Sequence, residues 1–193
     1  MSRPLTLVLL ASAASLAGCV GSLYPLWKGP DMIADARIVG TWHEPGSTGW
    51  VDVAATGPFT YRILVRDDSG RMGAFGGLLG RLDGRLVLDV QPDVTRLPVP
   101  ATYSGMLQPL HAFVFIDSLG EHPRFSILEP DSLRKYLIAH PGAVRADTLT
   151  AGVVLEAGPA DLQAFLRAYV RRPGVVGAPE TMSRCTDCRV PGR

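Results

Sequence analysis

From Ile38 onward, apolar and polar residues alternate in short runs separated by turn-forming residues, which is the pattern of antiparallel strands. Ile38 to His43 predicts a first strand, Pro45-Gly46-Ser47-Thr48-Gly49 a turn, and Trp50 to Ala55 a second strand. Phe59, Tyr61, Ile63 and Val65 then alternate with Thr60, Arg62, Leu64 and Arg66, so one face points inward and a mostly polar one faces water. Met72 to Leu82 and Arg85 to Gln91 flank Asp83-Gly84, a two-residue hairpin signal. Pro92 to Pro109 contains four prolines and predicts a long excursion. Leu110 to Asp117, with a wholly apolar centre at Phe113 to Ile116, Phe125 to Leu128 and Thr148 to Glu156 supply further strands.

Two stretches change period. After Glu129-Pro130-Asp131-Ser132, Leu133, Tyr136 and Leu137 share one helical face until His140-Pro141. Beyond Gly158-Pro159, the residues Leu162, Phe165, Leu166, Tyr169 and Val170 make an apolar stripe on a helix expected to run to Arg172. Asp161 in its first turn and Arg171 and Arg172 in its last complement the helix dipole. A helix of this length is marginal alone in water, so the stripe is expected to dock, with Leu64 and Val87 on the outer side of the sheet as candidate receivers, the competing reading being an interfacial helix that faces the membrane. The fold class is therefore mainly β with one or two helices (α+β), an antiparallel sheet or closed barrel carrying a C-terminal amphipathic helix.

The start of the chain has a different character. Arg3 precedes an apolar run from Leu5 to Ala14, and small residues lead to Cys19. The run is shorter than the roughly 20 residues that span a bilayer and is interrupted by serine. Leu16-Ala17-Gly18-Cys19 resembles the lipobox of bacterial lipoproteins. That resemblance implies a signal peptide over residues 1–18 and a lipid on Cys19 as the new N-terminus. It implies a cell-envelope location, periplasm-facing and membrane-anchored. Val20 is not the aspartate associated with inner-membrane retention in that family, which favours the outer membrane where a cell has two. Residues 19–35 then read as a lipidated tether, 36–172 as one β-rich domain with its packing helix, and 173–193 as a Gly/Pro-rich tail. Tyr24, Leu26 and Trp27 are unusually apolar for a tether and are expected either to dock on the domain or to sit at lipid headgroups.

Composition narrows the partners. The formal charge is +1, and loss of Arg3 with residues 1–18 brings it to zero, which argues against nucleic acid. A hydrophobic fraction of 47% suits a folded chain rather than a disordered one.

Gly40-Thr41-Trp42, at the head of the first strand, resembles the G-x-W motif of lipocalins. The resemblance implies an eight-stranded antiparallel barrel, closed at one end by Trp42, with a small apolar ligand inside. A binder of that kind needs a cavity of at least about 300 Å³, whereas a structural domain fills its interior.

Cys185-Thr186-Asp187-Cys188 lacks the following histidine of a haem site and a second ligand pair for zinc, and Val190-Pro191-Gly192-Arg193 after it cannot start the helix of a thioredoxin-like pair. In an oxidising compartment Cys185 and Cys188 read as a local disulfide or as part of a disordered tail. His111, in an apolar strand, reads as a satisfied core histidine, and Arg62, Arg66, Asp83 and Asp89 read as solvated. The sequence holds no Gly-x-Ser-x-Gly and no His-Glu-x-x-His, and no cofactor motif is recognised. The function expected is a non-catalytic, lipid-anchored envelope protein that binds a small apolar ligand in its barrel. The alternatives are a structural or interaction lipoprotein without ligand, and an enzyme with a diffuse site on the Pro-rich excursion.

Overall fold

A computed structural model describes residues 19–96, 100–148 and 152–191. Leu16, Ala17 and Gly18 of the lipobox, with the rest of the expected signal peptide, lie outside the described residues, as does part of the expected strand at 148–156.

Strand β1 (Cys19–Ser22) opens the chain, and β2 (Gly40–His43), β3 (Trp50–Ala55), β4 (Thr60–Arg66), β5 (Met72–Leu82), β6 (Arg85–Pro92), β7 (Ala112–Ser118) and β8 (Arg124–Ile127) follow. From β2 to β8 every strand pairs antiparallel with its sequence neighbour, with registers such as Val51↔Val65, Leu79↔Leu88 and Leu88↔Val114. Apart from the Pro-rich excursion between β6 and β7, short loops join these strands, which makes a meander the cheapest topology to close. The β5–β6 turn has φ of +50° at Asp83 and +82° at Gly84, the double positive φ of a type I′ hairpin. Because side chains alternate across each strand, Val53, Ile63, Leu79, Leu88 and Ile116 converge in one inner cluster with Trp42. Phe59, expected inward, is 42% exposed because β4 starts one residue after it.

The meander curls into a barrel, and the segment expected to be a free tail closes it. Strand β11 (Glu180–Thr181) pairs with β8 at Glu180↔Phe125 and Thr181↔Arg124. Strand β12 (Ser183–Arg184) pairs with β2 at Ser183↔His43 and Arg184↔Trp42. Met182 between them packs on the inner cluster and donates its N–H to Pro123 O at 2.9 Å. One five-residue stretch thus satisfies both open edges of the meander, which would otherwise expose unpaired backbone groups. Gly177 and Pro179 suggest a loop, and two-residue pairings are too short to show a period.

A second layer covers the outside of β5, β6 and β7. It contains β9 (Ala146–Asp147), β10 (Gly152–Leu155) and helices α2 (Pro130–Ala139) and α3 (Pro159–Tyr169), while a one-turn helix α1 (Ala101–Ser104) lies in the Pro-rich excursion. Strand β1 runs parallel to β10, from Cys19↔Gly152 to Ser22↔Leu155, and β9 pairs antiparallel on the other side of β10. Residues 19–35, expected as an irregular tether, are therefore part of the folded unit. Leu26 and Trp27 are almost fully buried in an outer core with Val87, Phe115, Leu162 and Leu166, whereas Tyr24 is 46% exposed. The physical reason is that alternation leaves Val87 and Phe115 on the outer barrel face, and their apolar area has to be covered. Trp27 Nε1 donates to Val87 O at 2.9 Å, and Leu26 N donates to a carboxylate oxygen of Asp89 at 2.7 Å.

Helix α3 begins as expected, with Gly158 as N-cap and Pro159 in its first turn, but ends at Tyr169 rather than Arg172. Leu162, Phe165, Leu166 and Tyr169 are buried on the outer core, which includes Val87. Leu64 is also buried, but it belongs to neither cluster and does not receive the helix. Gln163, outside the predicted stripe, is buried as well; its Nε2 donates to Leu26 O at 2.9 Å and to Asp31 Oδ2 at 3.0 Å, tying α3 to the N-terminal segment.

Candidate functional site

The inside of the barrel is the first place where residues converge. Alternate residues of β2 to β8 make it apolar, and what remains unfilled is a cavity of about 90 Å³ lined by residues such as Trp42, Val53, Leu88, Val114, Phe125 and Met182. Trp42 is buried and donates Nε1–H to Ile38 O at 3.0 Å, which anchors the indole to the turn preceding β2. The guanidinium carbon of Arg184 sits 4.4 Å from the centre of the Trp42 ring, a cation–π contact that sequence spacing gave no means of finding. It arises because β12 places Arg184 opposite Trp42.

The cavity wall also includes two carboxylates, Glu44 and Glu180. Burial, with a smaller contribution from the Glu44 charge, pushes Glu180 above its ordinary value of 4.5. The Glu180 carboxyl therefore sits against apolar surface at the strand that closes the barrel, in surroundings that favour its neutral form.

Cys19 is the first residue of β1, hydrogen-bonded in register beside Gly152. Cys185 and Cys188 are joined as a disulfide in the loop that follows β12. That loop is fixed to the barrel through Cys185 N, which donates to Thr41 O at 2.8 Å.

His111 and Asp89 meet on the outer barrel face, with Nδ1 2.7 Å from Oδ1 and both residues buried. Asp89 is not the solvated residue that alternation suggested. It accepts from Leu26 N and faces His111, so its carboxylate is held by the segment covering β6. His111 also exchanges backbone hydrogen bonds with Ser22, which joins β1 to the start of β7. Arg62 is half-buried, its Nη2 3.3 Å from Asp52, and Asp83 is tied to Arg171 beyond the end of α3. Tyr103, Met106 and Leu107 of the Pro-rich excursion are exposed, and Asp93 there is bonded to Thr95 and paired with Arg96. Among the described residues no group of three or more His, Cys, Asp or Glu side chains could hold a metal ion, and no helix is long and apolar enough to cross a membrane.

The described part of the molecule is thus an antiparallel β-barrel wrapped on one side by a small sheet and two helices. No family model, curated protein or solved structure matches the chain.

Proposed function

We propose that this is a non-catalytic lipoprotein of the bacterial envelope, held to a membrane through an acylated Cys19, whose filled barrel acts as a rigid structural or interaction domain. The observation that carries the structural part is the size of the interior. A residual cavity of about 90 Å³ is well below the roughly 300 Å³ at which pockets begin to hold drug-sized ligands. The barrel and the Gly40-Thr41-Trp42 opening are weakly compatible with a lipocalin-like fold, but space for a ligand of that family's kind is lacking. Val20 after the anchor cysteine favours the outer membrane in a two-membrane cell.

A second reading rests on the chemistry of the same cavity. Its lining is almost wholly apolar, and apolar cavities of about 150 Å³ stay dry and accept a benzene-sized guest. The space here suits only a few heavy atoms, such as the branched end of a longer apolar ligand.

The anchor is tested by Cys19→Ala. Palmitate labelling should disappear and the protein should leave the membrane fraction. Membrane retention unchanged in the absence of labelling would overturn acylation as the means of attachment.

A further inference from the structure

A second cleft, of about 550 Å³, opens on the outside of the barrel between the β2–β3 loop and the disulfide loop after β12. Both walls are fixed. On one side the Ser47 hydroxyl, Thr48 N and Gly49 N all donate to Oδ1 of Asp68, at 2.7, 2.9 and 2.9 Å. On the other side the Cys185–Cys188 bond closes the loop, and Cys185 N is bonded to Thr41 O. Trp50, which is buried, and His43 contribute to the lining.

What distinguishes the cleft is its charge. Arg66, Arg184 and Arg189 line it with one lining carboxylate, Asp187, and the Asp68 carboxylate lies behind the wall on Ser47, Thr48 and Gly49, which leaves one positive charge in excess with His43 neutral. Most arginines elsewhere on the barrel and helices are paired, as at Arg37–Asp35, Arg71–Asp67, Arg85–Asp117 and Arg171–Asp83. Among the described residues no ion pair involves Arg66, Arg184 or Arg189. The disulfide is bracketed by two of them, Arg184 directly before Cys185 and Arg189 directly after Cys188, so closing the loop brings both to one cleft. Arg66 is steadied from β4, with Nη1 donating to Thr48 O at 3.0 Å. The Arg184 guanidinium itself stacks on the Trp42 ring, so Arg66 and Arg189 are the two guanidinium groups left to the cleft, around a space large enough for a sugar.

We propose that this cleft binds a phosphate group, carried on a sugar-sized or glycerol-sized body. Guanidinium forks match phosphate oxygens in pairs and make charge-assisted hydrogen bonds about twice as strong as neutral ones. A phosphate could come from a soluble sugar phosphate or from a lipid headgroup, and the chemistry recognised is the same. The site does not depend on the lipid anchor or on the contents of the barrel.

Calorimetric titration of the full chain in detergent tests it, with glucose 6-phosphate as probe, glucose as the neutral control, and dihexanoyl phosphatidylglycerol as a soluble headgroup. Binding of either phosphate probe, with none of glucose, is expected; preference between the two identifies the source. Arg189→Gln, which touches no structural hydrogen bond named above, should weaken binding about tenfold, the loss of one charge-assisted contact. Asp187→Asn removes the competing carboxylate and should tighten binding severalfold, an effect that misfolding cannot produce. Failure of both phosphate probes to bind, glucose binding equally well, or unchanged affinity in both variants would overturn the proposal.

Discussion

Gly80 lies on the outer side of β5, directly beneath Trp27, and the pair offers a sharp test of how the N-terminal segment is built into the fold. A Cβ added at Gly80 would sit 2.3, 2.5 and 2.7 Å from three indole carbons of Trp27. Carbon atoms prefer about 3.5 to 4.0 Å, so the ring would have to retreat by more than about 1 Å. It has little room to do so, because it is 1% exposed and its Nε1 is bonded to Val87 O. Overpacking of this kind costs about 1 to 3 kcal/mol, and a broken buried hydrogen bond adds about 1 kcal/mol. Gly80→Ala is therefore expected to destabilise the protein by about 3 kcal/mol, within the range of about 3 to 5 kcal/mol for truncating a buried aromatic. Gly76→Ala, in the same strand, meets nothing within 4 Å and should be neutral within about 0.5 kcal/mol. Urea unfolding followed by tryptophan fluorescence measures both. In a Trp27→Leu background the cost of Gly80→Ala should fall by about 2 kcal/mol, since the clash is with the indole. Equal costs for the two glycine variants, or a Gly80→Ala cost unaffected by Trp27→Leu, would refute the packing of Trp27 on β5.

Trp42→Ala should cost about 3 to 5 kcal/mol, measured by the same unfolding assay, and a loss below about 1 kcal/mol would contradict its burial at the inner cluster. Hydrogen bonds from the Ser69 hydroxyl, and then from Arg71, lower Asp67 from 3.8 to about 2, and Asp68 is lowered by Ser47 and the Gly49 N–H. The Asp67 contribution is present above about pH 4 and lost as pH falls towards about 2, so the melting temperature should drop over that window and drop less in Asp67→Asn. Glu180 has the opposite sign: its raised value makes ionisation unfavourable to the closed barrel, so Glu180→Gln should raise the melting temperature at neutral pH and leave it unchanged in acid. The Tyr169 hydroxyl is buried without a hydrogen-bond partner, and burial pushes its ionisation up to about 12; Tyr169→Phe should stabilise by about 1 kcal/mol, and ultraviolet titration should show one phenol missing from the transition near pH 10.

Much of the barrel was legible in the sequence because strands half-buried against a core alternate strictly, as at Tyr61, Ile63 and Val65, and because Asp83-Gly84 specifies its turn. The helical stripe of α3 was legible for the same reason, its period being set by a single buried face. Alternation could not show that the outer face of β5 to β7 is also covered. That cover comes from Trp27, which lies 60 residues from its bonded partner Val87 in sequence, and from Gln163, whose partner Leu26 is 137 residues away. The closing pair β11 and β12 was hidden because each is held by two residues of backbone pairing, which carries almost no side-chain signature. Asp89 was misread for a related reason. A carboxylate on the outer face of a strand is solvated unless something lies over it, and the segment over it contributes Leu26 N as its donor.

The contents of the candidate site follow the same division. Trp42 announces itself by residue type, but Arg184 reaches it only through the closing strand, and the clustering of Arg66, Arg184 and Arg189 depends on the three-dimensional path of the disulfide loop. Cys19 stands apart, being read from local sequence context, while its place in β1 emerges only in the fold.

Native mass spectrometry of the protein extracted gently from membranes tests the proposed function most directly, because one spectrum reports both the N-terminus and any occupant of the barrel. The expected result is a chain beginning at Cys19, heavier than its residues by the mass of an attached lipid, with no small molecule released from the interior on activation. A chain that retains residues 1–18 and carries no lipid, or a stoichiometric apolar ligand expelled from the barrel, would contradict it.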